Sequence, residues 1–159
     1  MKEFHNPIKL TTKNARILVT GATGYIGGRL IPRLLSSNFN VRVLVRDKEK
    51  IRNKSWYSQV EVFEGDLTKP ETLSRLPDGV DQAYCLIHSM SDSQDYIALD
   101  RLVAENFVTL FKDIKHVIYL GGISPDGPQI SDHLNSRIEV GKILSDSLPT
   151  PEFCAGPII

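Results

Sequence analysis

The residues of this chain best suited to chemistry are three glycines at three-residue spacing. They stand in Thr20-Gly21-Ala22-Thr23-Gly24-Tyr25-Ile26-Gly27-Gly28, a G-x-x-G-x-x-G run. The β-rich stretch Arg16–Thr20 precedes the run, and the amphipathic stretch Tyr25–Ser37 follows it. Between a strand and a helix each glycine has its own task. Gly21 allows a tight turn out of the strand, Gly24 leaves the backbone open to a pyrophosphate, and Gly27 permits close helix–strand packing. Helix N-terminal amides then face the phosphates, aided by the helix dipole. Gly21, Thr23, Gly24, Tyr25, Ile26 and Gly27 form the expected phosphate-binding set. The alternative is a glycine-rich turn with no ligand.

Further candidates stand where later strands end. An NAD-binding domain normally places a carboxylate at the end of the second strand, to accept from the ribose 2′-hydroxyl. That place falls near Val45, which cannot accept, and Arg46, Asp47 and Lys48 follow. Arg46 can pair with a 2′-phosphate in a forked geometry. This favours NADP, with NAD as the alternative if Asp47 holds the ribose. After the third strand comes Gly65-Asp66-Leu67. The Asp66 carboxylate there suits either the adenine amino group, with backbone contacts at Leu67, or a turn or helix N-cap. His88 ends the fourth strand, at the carboxyl edge where open α/β sheets bind ligands; it either lines the cofactor cleft or makes a structural hydrogen bond.

These positions require an alternating scaffold. β-rich runs recur at Arg16–Thr20, Val41–Val45, Val60–Glu64, Gln82–Ile87, His116–Leu120 and, more weakly, Glu152–Ala155. Several are apolar almost without alternation, as strands buried on both faces require. Helical spacing marks Tyr25–Ser37, Ser93–Lys112 and Ser131–Ser147. The second of these carries a stripe of Tyr96, Leu99, Val103, Phe107 and Leu110, and the third a side of Leu134, Ile138, Gly141 and Leu144. Ser91 with Gln94 resembles a capping box. Pro32 should bend or weaken the first helix. The expected fold is α/β, a Rossmann-type doubly wound parallel sheet with helices on both faces. Residues 1–14 have no place in the pattern and form an expected N-terminal extension to a domain over 15–159.

Composition narrows the function classes. Of 159 residues 41% are hydrophobic, enough for a single core. Lys+Arg and Asp+Glu total 19 each, so no global positive field points to nucleic acid. No apolar run approaches the roughly 20 residues of a membrane helix, and the N-terminus has no secretory signal pattern. Cys85 and Cys154 sit in apolar runs without metal spacing and read as small core residues of a cytoplasmic protein. No metal site is expected. Trp56, Tyr57 and His116 read as packing or structural residues.

Taken together, the glycine motif, the Val45-Arg46-Asp47 ending, Gly65-Asp66-Leu67 and Ala155-Gly156-Pro157 resemble the short-chain dehydrogenases/reductases. The nearest branch is the extended and atypical one, with NmrA-like and NAD-dependent epimerase/dehydratase-like proteins. The resemblance implies a Rossmann fold binding a nicotinamide dinucleotide. It also implies a serine after the fifth strand and a Tyr-x-x-x-Lys pair acting on a carbonyl or hydroxyl. Here Gly121-Gly122 follows the fifth strand with Ser124 later, and His133-Leu-Asn-Ser-Arg137 stands in the place of the pair. Spacing four puts His133 and Arg137 on one helix face as candidate catalytic residues. A cation beside histidine gives no equivalent of the phenolate it makes beside tyrosine. Ser124 and Asp126 lie in a Gly/Pro-rich loop that could lid the cleft. Proteins of this resemblance continue past the sixth strand to build the substrate pocket, so the chain reads as a fragment or a minimal form. An apolar end near Phe153–Ile159 then favours self-association. The expected function is the nucleotide-binding part of an oxidoreductase or epimerase/dehydratase-like enzyme, with an unknown small-molecule substrate. The alternative is a non-catalytic NADP(H)-sensing regulator with a protein partner.

Overall fold

Each of the expected β-rich runs forms a strand, and the computed structural model describes residues 14–86, 95–122 and 131–155. The order is β1 (Arg16–Thr20), α1 (Tyr25–Ser36), β2 (Asn40–Val45), β3 (Glu61–Glu64), β4 (Gln82–Cys85), α2 (Tyr96–Leu110), β5 (His116–Gly122), α3 (Asp132–Ser147) and β6 (Glu152–Ala155). Every neighbouring pair is parallel, and the six-stranded sheet runs β3-β2-β1-β4-β5-β6. The chain starts in the middle of the sheet, winds outward through β3, and returns past β1 to β4. The strand order therefore reverses beside β1, where ligands of doubly wound sheets bind.

Two apolar layers hold the helices to opposite faces. On one face Ile31 and Leu34 of α1 pack over Ile17, Val19, Val41, Val43 and Val45, with Ile51 and Trp56 alongside. On the other, Ala104 and Phe107 of α2 and Val140 and Leu144 of α3 pack over Leu18, Leu44, Ala83, Cys85, Val117 and Tyr119. Phe107 is fully buried, a contribution of about 1.5–3 kcal/mol at the usual area coefficient.

The structure corrects several details. The two connections after β2 and β3, where strand–helix alternation calls for helices, hold short 3₁₀ turns instead, at Lys48–Ile51, Tyr57–Gln59 and Pro70–Leu73. Helix α1 continues through Pro32. Pro32 leaves the Gly28 carbonyl without its intrahelical donor. The buried line of α2 is Asp100, Ala104 and Phe107, while Leu99 turns outward. On α3 it is Ser136, Val140, Gly141 and Leu144, while Ile138 is exposed. Both helices rotate because each packs against the other as well as the sheet. Their seam buries a polar pair, in which Ser136 Oγ donates to Asp100 Oδ2 at 2.9 Å. Strand β5 runs to Gly122, past the expected Leu120, because Gly121 and Gly122 pair with Cys154 and Ala155. Cys85 is buried, but Cys154 is exposed on the edge strand rather than in the core. Trp56 is core. Ser91, Gln94, Ser124 and Asp126 lie outside the described residues.

The amino edge of the sheet is pinned by a buried arginine. Arg42 donates from Nε and Nη2 to the two Glu61 carboxylate oxygens, each at 3.0 Å, and from Nη1 to the carbonyls of Leu76 and Asp78. The Arg42 hydrogen bonds hold the Glu61 carboxyl below the usual range. This cluster leaves the carboxyl edge free for a site.

Candidate dinucleotide site

The turn after β1 is built as its glycines suggest, with one addition. Thr20, the last residue of β1, is fully buried. Its hydroxyl donates to the Tyr84 carbonyl at 3.1 Å and accepts from the Leu86 amide at 3.0 Å. The end of β1 is thereby fastened to the end of β4. A hydroxyl closing an otherwise apolar run was the available signal for this residue, and the motif-based reading passed over it.

Gly21 has φ +74°, a left-handed conformation that glycine adopts without strain, and a Cβ there would sit 3.1 Å from the Leu86 carbonyl oxygen. The Gly24 amide donates to the Gly21 carbonyl at 3.0 Å, which closes the turn. A Cβ on Gly27 would overlap that same carbonyl oxygen. Gly27 thus serves close packing of the helix on the turn itself, rather than on the strand. Gly24 differs from both. A Cβ there would meet only the Gly21 carbonyl oxygen, at 3.3 Å, a tight contact but far short of the overlap at Gly27.

Helix α1 begins without a side-chain cap and without an acidic residue in its first turn. By contrast α3 begins with Ser131 accepting from the Leu134 amide, followed by Asp132. The α1 N-terminus therefore presents uncompensated amides and the positive end of a dipole. Thr23, Gly24 and Tyr25 are exposed there, and Ile26 is half-buried.

At the end of β2 the three candidate polar residues separate. Asp47 Oδ1 accepts from the Glu49 amide at 3.0 Å and caps the 3₁₀ turn. Lys48 pairs with Glu64 at 3.5 Å. Arg46 is exposed and has no ion pair or hydrogen bond among the described residues. Asp66 Oδ1 accepts from both the amide and the hydroxyl of Thr68, each at 2.9 Å, so the turn role is present. Leu67 is buried, and its carbonyl accepts from Asn106 Nδ2 at 2.7 Å. His88 lies outside the described residues.

His133 and Arg137 both follow the end of β5, on the first turns of α3, but their contacts diverge. The exposed His133 ring lies 6.2 Å from the Tyr96 ring on α2, tilted by 50°. Arg137 turns to the sheet and donates from Nη2 to the Leu120 carbonyl at 2.7 Å. The Tyr119 hydroxyl donates to the Arg137 carbonyl at 3.0 Å. Gly122 makes room for Leu134 of α3, since a Cβ there would come within 2.6 Å of Leu134 Cδ1. Tyr96, at the first position of α2, joins the carboxyl edge beside His133 and was not among the expected site residues. No cluster of His, Cys, Asp or Glu among the described residues could hold a metal, and none of their helices is long and apolar enough to cross a membrane.

A parallel sheet of this order, with a glycine turn leading into an uncapped first helix, defines a Rossmann-type domain of the NAD(P)-binding, short-chain dehydrogenase/reductase kind. The chain belongs to the NmrA-like family, which matches residues 13–129. It is 33% identical over 75 residues to a 3 beta-hydroxysteroid dehydrogenase/Delta 5-->4-isomerase of Mycobacterium tuberculosis, covering 47% of this chain and 20% of that protein. It resembles the Citrobacter sp. triphenylmethane reductase complexed with NADP(H), at 26% identity and a TM-score of 0.71 over 86% of this chain and 48% of that one. The fold also matches the Bordetella bronchiseptica enzyme WbmG in complex with NAD and UDP, at 18% identity and a TM-score of 0.74 over 90% of this chain and 53% of that one. The chain spans about a fifth of the curated relative and about half of the solved ones.

Proposed function

We propose that this chain is the nucleotide-binding part of an NADP(H)-dependent oxidoreductase or epimerase/dehydratase-like enzyme. The observation that carries the reading is the uncapped start of α1 behind a turn in which the exposed Gly24 leaves the backbone open to a ligand. A reductase relative with NADP(H) bound supports it. The amides of Thr23, Tyr25, Ile26 and Gly27 hold the diphosphate, and Arg46 holds the 2′-phosphate. Asp66 offers its remaining carboxylate oxygen to the adenine amino group, and His88 lines the cleft. When bound, the nicotinamide supplies or accepts a hydride. His133 takes the proton of a substrate hydroxyl at an imidazole nitrogen, while Arg137 orients the edge of β5 beneath it. The substrate pocket belongs to a portion outside residues 15–159, in keeping with the half-length match to solved relatives. A cytoplasmic location suits the free, exposed Cys154. Phe153, 55% exposed on the edge strand, supports self-association of the bare chain.

Calorimetric titration tests the cofactor. The chain is expected to bind NADP more tightly than NAD, and Arg46→Ala to weaken NADP by about one to two decades through loss of a charge-assisted contact. NAD binding tighter than NADP would refute the role of Arg46, and binding of neither dinucleotide would refute the whole reading. A second reading, an NADP(H)-sensing regulator, is favoured by the commitment of Arg137 to the Leu120 carbonyl. NADPH oxidation across aldehydes, ketones and quinones separates the two. The bare chain is expected to turn over none of them. Turnover lost in His133→Ala would make His133 and Arg137 an active site complete in these residues.

A further inference from the structure

The solvent side of α1 carries a pair that the dinucleotide reading leaves unexplained. Arg29 lies four residues after Tyr25, and its Cζ stands 4.4 Å from the centre of the Tyr25 ring. Tyr25 is the first residue of the helix and 59% exposed. Helical side chains lean toward the N-terminus, so the guanidinium is held back at the level of the first turn. That is an unfavourable place for a cation, because the helix N-terminus already carries about half a positive charge. Nothing among the described residues offsets it. The first turn has no acidic residue, the N-cap has no side-chain partner, and Arg29 has no ion pair among the described residues. Arg33, by comparison, sits in the last turn, where the dipole favours a cation. The face of the Tyr25 ring attracts a cation and accounts for how Arg29 is held. A cation kept at a positive helix end, with no counter-charge among the described residues, fits an anion that arrives from outside.

We propose that Arg29, held on the Tyr25 ring, is a second cation for the bridging diphosphate of the dinucleotide. It covers the diphosphate from the solvent side, while the amides of the glycine turn hold it from the helix axis. This rests on the dinucleotide reading and adds to it Arg29, which lies outside the glycine motif, and a role for the side chain of Tyr25 within it. Arg29 belongs to the diphosphate, which NAD and NADP share; Arg46, at the far end of β2, belongs to the 2′-phosphate. Tyr25 acts through Arg29 and is a positioning residue.

The test is calorimetric titration of Arg29→Gln and the parent chain with NADP, NAD and adenosine 2′-monophosphate. The variant is expected to bind both dinucleotides about three- to fivefold more weakly, as for an exposed charge at a helix end. The monophosphate, which lacks the bridging diphosphate, is expected to bind both proteins alike. Added salt should narrow the gap between variant and parent. Tyr25→Leu should lose part of the same factor, and Tyr25→Phe should recover it, because the ring face holds the cation. Arg29 is exposed, and superimposable melting curves establish that affinity, not folding, has changed. Equal dinucleotide affinities of variant and parent overturn the proposal. A loss confined to NADP overturns it as well, by assigning Arg29 to the 2′-phosphate. A parent that binds neither dinucleotide brings down the cofactor reading and this proposal with it.

Discussion

Replacing Gly24 with valine separates the two things a glycine turn can do. Gly24 is the N-cap of α1, with φ −79° and ψ 169°, a region open to any L-residue. Its new Cβ would meet only the Gly21 carbonyl oxygen, at 3.3 Å, a contact relieved by a shift of a few tenths of an ångström. The fold loses a tolerable N-cap and gains a poor one, at a cost of about 1 kcal/mol. In a domain of this size that is about 2–4 °C in melting temperature. Binding fares worse. The two methyl groups stand in front of the first-turn amides, and each lost hydrogen bond to a phosphate is worth about 1.5–3 kcal/mol, one to two decades in affinity. Gly27→Ala is the opposite case. Its Cβ would overlap the Gly21 carbonyl oxygen, and neither backbone can move without opening the turn. That overpacking costs the fold about 1–3 kcal/mol. The assay pairs a thermal melt with titration of NADP. Gly24→Val is expected to stay folded and bind weakly, and Gly27→Ala to melt early. Parent-like affinity in Gly24→Val would show that the ligand does not approach the backbone there, and the assignment of the turn would fail.

Two further outcomes follow from contacts away from the turn. Ser136→Ala removes the hydroxyl donor to the buried Asp100 carboxylate, and chemical denaturation is expected to show a loss of about 1–3 kcal/mol; an unchanged midpoint would mean the pair contributes nothing to the α2–α3 seam. Asp81 is held below its ordinary value, chiefly by the Lys115 ammonium at 2.6 Å and then by the Arg16 amide. A carboxyl lowered on folding contributes stability above its unfolded pKa of about 3.9, and that contribution is lost as pH falls through the folded value. Lys115→Ala is therefore expected to raise the Asp81 titration midpoint toward the ordinary value and to weaken stability above about pH 4. Carboxyl NMR titration reads the midpoint directly, and coincident curves for variant and parent would dismiss Lys115 as its cause.

What could be read along the chain was whatever depends on local period and local backbone demand. Strand–helix alternation is written in apolar runs and three-and-four spacing, so the doubly wound sheet was legible. So was the tight turn at Gly21, because a left-handed residue after a strand leaves a glycine behind. Side-chain partners across the sheet carry no such period. That Thr20 ties β1 to β4 follows from strands 64 residues apart in sequence becoming neighbours. The same holds for the buried line of α2. Its apolar stripe pointed to Leu99, yet the α2–α3 seam turned the helix until Asp100 and Ser136 faced each other inside. The spacing of His133 and Arg137 placed both on one helix face, but only packing decided that Arg137 reaches the Leu120 carbonyl while His133 meets Tyr96. At the end of β2 the sequence favoured Arg46 for a 2′-phosphate, with Asp47 as the alternative for a ribose and Lys48 beside them. Asp47 then capped a 3₁₀ turn and Lys48 paired with Glu64, and Arg46 was left uncommitted among the described residues. Which charge remains available to a ligand depends on which charges the fold has already used, and that is settled only when distant segments meet.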